Sequence, residues 1–263
     1  MLPVIGLGTY RGFDVGNDAA ARARLGEVLN LVLAPGKAMI DSSPMYGRAE
    51  DITGALLTDT GLSGHGFLAT KVWTSGKAQG IAQMEKSLRH LRTDKLDLMQ
   101  VHNLVDVNTH LATLKGWKAE GRVRYVGVTH YHSGAYSELE TVLKREKLDF
   151  VQLNYSLDDR VAEERLLPLA QDRGIAVIVN MPFGGGGLVG RLSKEPLPPF
   201  AKDIGADTWA QVLLKFVLGH PAVTVAIPGT GNPKHMAENV AATDGDLASG
   251  RAQILAWSKG RSL

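Results

Sequence analysis

The chain has no cysteine, which excludes disulfide bonds, thiol catalysis and thiolate metal sites. It also has no apolar run of about 18 residues, the length needed to cross a bilayer, and its N-terminus lacks the basic and apolar regions of a signal peptide. The chain also has no large excess of positive or negative charge, because it contains 29 basic and 27 acidic residues. We therefore expect a cytoplasmic protein that binds neither nucleic acid nor membrane.

Short β-rich runs alternate with longer amphipathic segments, a pattern typical of βα units around a parallel sheet. With 263 residues, the chain matches the roughly 250 of one (β/α)8 barrel. We expect an α/β protein, a (β/α)8 TIM barrel that forms a single domain over residues 1–263, with an extra C-terminal helix near 246–258. The eight predicted strands lie near residues 4–10, 38–42, 67–72, 96–102, 124–129, 149–154, 175–180 and 223–228.

Four polar residues follow three consecutive predicted strands, and strand ends of this kind meet at one mouth of a barrel. Asp41 ends the second strand and Tyr46 follows it, while Lys71 and His102 end the third and fourth. A free tyrosine is a poor acid at neutral pH, but a nearby ammonium lowers its pKa and a carboxylate keeps that ammonium charged. The pattern predicts Tyr46 as general acid, Lys71 and Asp41 as its tuners, and His102 orienting a carbonyl oxygen.

Each of these residues has a simpler reading when taken alone. Asp41 is compatible with a turn cap, Lys71 with an edge lysine, and His102 with a structural histidine. A barrel lyase with Lys71 as a Schiff-base amine is the alternative chemistry. His130 and His132 lie two residues apart and lack a third ligand, so we predict no metal site.

The stretch from Asp41 to Glu50, followed by Gly54, resembles the signature of the aldo-keto reductase family: Asp, four residues, Tyr-Gly, then Glu and Gly. The resemblance implies a (β/α)8 barrel that binds a nicotinamide dinucleotide without a Rossmann domain. It also implies reduction of an aldehyde or ketone, with a hydride passing to the carbonyl carbon and Tyr46 supplying the proton. Further blocks agree in the family's order: 69–73, 97–102, 127–129, 151–156 and 227–230.

The resemblance assigns the nicotinamide carboxamide to Thr129, His130 and Gln152. Members usually have Ser-Asn at the first two places, so His130 is a departure that keeps a hydrogen-bonding group. In many members an aromatic residue stacks on the nicotinamide at the position where this chain has Asn180. The resemblance therefore implies that another residue, Met181 or Phe183, covers the nicotinamide ring.

Two glycine-containing loops are implied as phosphate sites. The run 184–187 lets backbone amides approach a pyrophosphate, with Arg191 nearby. Where some members grip the 2′-phosphate of NADPH, this chain has Gly229 and His235, with Lys234 adjacent. NADP(H) is favoured, and NAD(H) stays open. The implied cofactor contacts are Gly8, Thr9, Tyr10, Thr129, His130, Gln152, Asn180, Pro182, Phe183, Gly184, Gly185, Gly187, Leu188, Arg191, Ile227, Pro228, Gly229, Thr230, Asn232, Lys234, His235, Glu238 and Asn239.

The substrate is expected to be a small-molecule carbonyl compound, in a pocket walled by Tyr10, Trp73 and Asn103. We expect a monomer or a weak homo-oligomer. A non-enzymatic nicotinamide-binding regulatory subunit is the second alternative, because some relatives of the family act in that way.

Overall fold

The computed structural model describes residues 4–263 and contains one eight-stranded sheet in which each strand pairs in parallel with the next in the chain. Nearly continuous apolar strands bury both faces, as expected for a parallel sheet covered by helices. The strands are β1 (Leu7–Gly8), β2 (Met39–Asp41), β3 (Phe67–Val72), β4 (Leu96–His102), β5 (Val123–His130), β6 (Phe150–Asn154), β7 (Ala176–Asn180) and β8 (Val223–Ala226).

Bridges between the first and last strands nearly close the sheet into a barrel. Ile5 pairs with Ala226 and Gly8 with Gly229, both in parallel. The Gly6 amide donates to the Ala226 carbonyl oxygen over 2.8 Å. The predicted (β/α)8 barrel is therefore confirmed, although β1 is much shorter than the predicted strand 4–10. Residues 1–3 lie outside the described part of the chain.

Helices cover the outside of the barrel, and the predicted C-terminal helix is present. None of the described helices is long and apolar enough to cross a membrane. The sequence did not predict α7, which lies inside the long connection 183–206. Glycines at positions 187 and 190 lower the helical propensity of this segment, so its sequence pattern does not indicate a helix. The helices are α1 (Ala19–Leu33), α2 (Ala49–Asp59), α3 (Lys77–His90), α4 (Val107–Ala119), α5 (Tyr136–Arg145), α6 (Leu166–Asp172), α7 (Gly187–Leu192), α8 (Trp209–Leu218), α9 (Pro233–Ala241) and α10 (Leu247–Ser258).

The barrel interior has an apolar floor and a polar layer above it. Alternate residues of each strand face inward, so the residue type changes at one level of the barrel as the strands approach their C-terminal ends. On β3, Phe67 and Ala69 belong to the floor and Lys71 to the polar layer. The floor cluster consists of Met39, Phe67, Ala69, Leu98, Phe150, Ile178, Val225 and Ile227, with Tyr125 and Ala176 packed against it.

Candidate active site

The ends of β2 and β3 bring a carboxylate and an ammonium together inside the barrel. Lys71 Nζ donates to Asp41 Oδ2 over 2.6 Å and to the Ser42 carbonyl oxygen over 2.7 Å. Asp41 pairs in register with Ala69, and Lys71 lies two residues further along the same face of β3. Both charged side chains are buried. Each therefore provides the opposite charge that the other needs away from water.

Two amides bind the second oxygen of Asp41. Gln100 Nε2 and Gln152 Nε2 each lie 3.1 Å from Asp41 Oδ1, and the Thr129 hydroxyl donates to Gln152 Oε1 over 3.3 Å. Sequence reasoning predicted Gln152 and Thr129 as site residues but missed Gln100. Its position two residues before His102 was an available signal, because alternate residues of a strand share a face. The carboxylate thus receives three side-chain hydrogen bonds.

Tyr46 and His102 lie beside this ion pair. Lys71 Nζ is 5.1 Å from the centre of the Tyr46 ring. The rings of Tyr46 and His102 meet edge to face, with centres 6.3 Å apart. His102 Nδ1 lies 3.3 Å from the Ser43 hydroxyl oxygen, a partner that sequence reasoning did not predict. The structure therefore brings the four predicted catalytic side chains together at the barrel mouth.

Lys71 and Tyr46 influence each other's proton affinity. Burial alone would lower the pKa of Lys71, but the electrostatic and hydrogen-bonding effects of Asp41 and Tyr46 raise it above its ordinary value, so the ammonium stays charged. Burial raises the pKa of Tyr46, and the opposing effect of Lys71 does not overcome it. Lys71 thus lowers the pKa of Tyr46 as predicted, but burial, which sequence reasoning did not include, leaves the pKa above its ordinary value. The phenol carries its proton at neutral pH.

His102 is neutral at physiological pH. Burial lowers its pKa to about 3, and the electrostatic effects of Lys71 and His130 act in the same direction. A neutral imidazole has one N–H and one acceptor nitrogen, assigned by the partners of each. Because the Ser43 hydroxyl lies against Nδ1, Nε2 is the nitrogen that remains for a ligand.

The loop after β3 is held from two sides. Gln83 on α3 accepts from the Trp73 amide over 2.6 Å and donates to the Trp73 carbonyl oxygen over 3.2 Å. His110 Nε2 lies 2.6 Å from the Thr74 carbonyl oxygen, and its ring occupies the space where a Cβ on Gly80 would lie. The backbone of Trp73 is therefore fixed, although its side chain is exposed.

Large apolar side chains surround the mouth. Tyr10, a predicted pocket wall, is 54% exposed, and its ring lies 4.9 Å from that of Tyr46. Trp73 is 41% exposed, and its ring lies 6.4 Å from that of His102. Asn103, the third predicted wall residue, has a left-handed backbone, and its side-chain oxygen is buried with no partner within residues 4–263. Three other exposed apolar residues on strand-end loops are Met45, Tyr131 and Met181.

Polar groups at the ends of β5 and β7 lie where the nicotinamide contacts were predicted. The His132 amide donates to His130 Nδ1 over 3.1 Å, which leaves Nε2–H as the donor of the neutral ring. Burial lowers the pKa of His130, which favours that neutral form. Asn180 Oδ1 is buried, and no group in the described chain donates to it. An amide donor of a ligand would satisfy this oxygen.

The loop after β7 only partly matches the predicted contacts. Of the two predicted covers for a nicotinamide ring, Phe183 packs against the outer core, whereas Met181 is 42% exposed. The glycines of Gly184–Gly186 have φ angles of 60–94°, which only glycine adopts readily. Three amides of residues 184–187 already donate inside this loop, so fewer are left for a phosphate than predicted. Leu188 and Pro182 are buried, and Arg191 is exposed.

The loops after β1 and β8 run side by side. A Cβ on Gly8 would lie 2.9 Å from the Ile227 carbonyl oxygen, and one on Gly12 would lie 3.2 Å from the Gly231 nitrogen. Glycine is therefore required for this backbone approach. The hydroxyl of Thr9 is buried and donates to the end of β2, so this side chain is used inside the barrel.

The loop before α9 is shaped by its own side chains. Asn232 caps the helix by accepting from the Lys234 amide over 3.0 Å, and Thr230 accepts from the Asn232 amide over 3.0 Å. Arg24 on α1 donates to the Gly231 carbonyl oxygen over 3.2 Å, a cation that sequence reasoning missed because it lies 207 residues away. Of the other predicted contacts, Ile227, Pro228 and Asn239 are buried, Gly229, Lys234 and His235 are exposed, and Glu238 is partly exposed.

These residues fit a nicotinamide dinucleotide. The orphaned Asn180 oxygen suits an amide, and the exposed Met181 suits a ring. Arg191, Lys234 and Arg24 are exposed cations on the loops after β7 and β8 or beside them, where phosphates are expected. Together the barrel, the buried ion pair and this mouth define an oxidoreductase that depends on a nicotinamide cofactor.

Comparison with known proteins identifies the family. The model of the aldo/keto reductase family matches residues 4–253. The methylglyoxal reductase YeaE of Escherichia coli strain K12 is 31% identical over 262 residues, which cover 97% of this chain and 90% of that protein. The chain therefore belongs to the aldo/keto reductase family, and the predicted class of NAD(P)H-dependent oxidoreductase is confirmed.

Solved structures agree with this assignment. An aldo/keto reductase from Klebsiella pneumoniae in complex with NADP and acetate has a TM-score of 0.83 and 29% identity, covering 100% of this chain and 93% of that one. An aldo-keto reductase from the same species in complex with NADPH has a TM-score of 0.81, also at 29% identity, with the same coverage. The predicted cofactor, NADP(H), is the one that both of these relatives hold.

Proposed function

We propose that this protein reduces an aldehyde or ketone to the alcohol with NADPH, and that Tyr46 donates the proton. The observation that carries the proposal is the buried ion pair of Lys71 and Asp41 beside the Tyr46 phenol, at the mouth of the barrel. When bound, the reduced nicotinamide supplies a hydride to the carbonyl carbon. Holding the carbonyl oxygen and protonating it are the tasks of the protein's side chains.

Each catalytic side chain has one task in this proposal. Tyr46 gives its proton to the carbonyl oxygen as negative charge develops there, and the ammonium of Lys71 stabilises the phenolate that is left. Asp41 keeps Lys71 charged and in place. His102 donates Nε2–H to the same oxygen and holds it in line with Tyr46, which a neutral imidazole is able to do.

NADPH is the proposed cofactor in preference to NADH. Lys234 lies exposed in the first turn of α9, and Arg24 lies against the preceding loop. The two cations and the N-terminus of α9, a helix of nine residues, favour binding of the additional 2′-phosphate of NADPH. The two Klebsiella relatives that hold NADP or NADPH support the same choice.

The proposed substrates are small carbonyl compounds. The relative YeaE is a methylglyoxal reductase, so α-oxo-aldehydes belong among the first compounds to assay. Tyr10 and Trp73 form an exposed aromatic rim, so aromatic aldehydes should also be among the first compounds assayed. A Schiff-base lyase is disfavoured, because the Lys71 nitrogen is charged and already donates to Asp41 and Ser42.

The test is the Tyr46→Phe variant, assayed by the loss of NADPH absorbance with a panel of carbonyl compounds. We expect turnover to fall by at least about 100-fold, since general acid catalysis contributes this much, while NADPH affinity is retained. Tyr125→Phe is the matched control, because it removes a phenolic hydroxyl from the barrel floor. Turnover of Tyr46→Phe that matches the wild type would overturn the assignment of Tyr46.

A further inference from the structure

The Asp41 carboxylate receives its hydrogen bonds unequally on its two oxygens. Oδ2 accepts from the charged Lys71, and Oδ1 accepts from two neutral amides, Gln100 and Gln152, each at 3.1 Å. All four side chains are buried. A buried carboxylate needs hydrogen-bond donors on both oxygens, so the two amides satisfy Oδ1 while Lys71 satisfies Oδ2.

The two amides have different surroundings. Gln152 lies on β6 and is tied to Thr129, in the part of the mouth proposed to receive the nicotinamide. Gln100 lies on β4, where its register partners are Lys71 on β3 and Gly127 on β5. Its only side-chain hydrogen bond among the described residues is the one to Asp41.

The orientation of Gln100 follows from the charge of its partner. An ionised carboxylate only accepts hydrogen bonds, so the amide has to present Nε2 to Asp41. Oε1 is then directed elsewhere, and no donor in residues 4–263 reaches it. A buried orphaned oxygen is costly, whereas a hydrogen bond to a charged group is about twice as strong as a neutral one. The contact with Asp41 thus outweighs the loss at Oε1.

We propose that Gln100 is a positioning residue that holds the Asp41 carboxylate when Gln152 turns from Asp41 toward the cofactor. This inference rests on the proposed function, since it takes Gln152 as a contact of the nicotinamide carboxamide. With cofactor bound, Gln100 is the amide that still donates to Oδ1. Asp41 therefore keeps a donor on each oxygen, and Lys71 stays charged beside Tyr46.

The test is a double-mutant cycle on NADPH affinity, measured by fluorescence titration of Gln100→Met, Gln152→Met and the double variant. We expect Gln100→Met to weaken NADPH binding about tenfold, which is the effect of losing one hydrogen bond to a charged group. Without Gln100, Gln152 has to serve both Asp41 and the nicotinamide carboxamide, so binding the cofactor costs Asp41 its last amide donor. In the Gln152→Met background this competition is gone, so adding Gln100→Met leaves affinity unchanged. Equal effects in both backgrounds, or none in either, would overturn the proposal.

Controls separate folding and function from the role of Gln100. Met99→Leu changes the neighbouring, outward-facing residue of β4 and should leave NADPH affinity unaltered. If Gln100→Met does not fold, Gln100→Asn keeps the amide one methylene further from Asp41 and should show a smaller loss with the same dependence on Gln152. Wild-type protein that neither binds NADPH nor reduces a carbonyl would refute the proposed function itself. Wild-type activity with an additive cycle would refute only the role of Gln100.

Discussion

At the scale of single residues, His102 has a pKa far below that of a free imidazole. Burial lowers its pKa from the ordinary 6.5 to about 3, so the ring is neutral throughout the range in which enzymes of this kind are assayed. Because the folded pKa is depressed, the imidazolium form appears only in strong acid. In the proposed mechanism, the carbonyl oxygen would thus contact a neutral imidazole on one side and a phenol on the other.

This predicts how carbonyl reduction depends on pH. Between about pH 5 and 9, kcat should show no limb with a pKa near 6.5, because His102 does not titrate there. The measurement is kcat at saturating NADPH and carbonyl across that range, for the wild type and for His102→Gln, which keeps a neutral donor. A limb near pH 6.5 in the wild type that disappears in His102→Gln would contradict the prediction.

Sequence reasoning found the site residues whose polar side chain directly ends an apolar strand. Asp41, Lys71 and His102 each end a strand with a side chain that the apolar run before it makes conspicuous. Gln100 and Ser43 were missed, because each is defined by a partner 59 residues away in the chain. The serine lies in a turn and has no distinguishing pattern, whereas the glutamine shares a strand face with His102, a signal that gains meaning only when its partner Asp41 is known.

At the scale of elements, α3 determines where the loop after β3 lies. The side-chain amide of Gln83 pairs with both backbone groups of Trp73, and α4 adds a second tie from His110 to Thr74. Two helices therefore fix the backbone of a residue whose side chain stays exposed at the mouth. If Trp73 lines the substrate pocket as predicted, this fixed backbone would give the pocket a defined wall.

We expect Gln83→Leu to loosen this wall without disturbing the cofactor. KM for an aromatic aldehyde should rise about fivefold, which corresponds to roughly 1 kcal/mol for lost hydrogen bonds that are partly exposed to water. The dissociation constant of NADPH should not change. Gln79→Leu is the matched control, because Gln79 lies on the same helix and is exposed, whereas the hydrogen bonds to the Trp73 backbone come from Gln83. An equal rise of KM in both variants would contradict this role of Gln83.

The elements themselves were largely predictable, apart from those around the glycine-rich loop. Alternation of apolar runs located all eight strands. The amphipathic spacing of residues 78–91 predicts a helix, and α3 matches it within one residue at each end. The similar spacing of residues 163–173 predicts a helix longer than α6, because a 3-10 turn over Val161–Glu163 precedes α6. Short turns of this type depend on tertiary contacts, which periodicity does not report.

At the scale of the whole molecule, a charged cluster joins the C-terminal helix to the barrel. Glu163, after β6, accepts from Arg160 and from Arg251 on α10, each over 2.7 Å, and also from the Tyr155 hydroxyl. Arg251 also donates to the Phe216 carbonyl oxygen on α8 over 2.7 Å. Burial alone would raise the pKa of Glu163, but these hydrogen bonds lower it to about 2.

This cluster predicts a stability that depends on pH. Because the folded pKa of Glu163 is depressed, its contribution is fully present above about pH 4.5 and is lost as pH falls toward 2. Arg251→Met should lower Tm by a few degrees at pH 7, since it removes two partly buried hydrogen bonds. The Tm difference from the wild type should shrink by pH 3. Gln253→Met, on the same helix, should match the wild type, and a pH-independent difference for Arg251→Met would argue against the charged cluster.

The hydrocarbon floor of the barrel has a consequence for the supply of protons to the reaction. Beneath the polar layer, the described interior consists of rings and aliphatic chains such as Phe67, Leu98, Phe150 and Ile178, which form no relay from bulk water. If Tyr46 donates the proton as proposed, that proton has to be replaced through the mouth, by the same route that the substrate uses. Under this mechanism we expect the phenol to regain its proton after the alcohol has left and water has returned to the mouth.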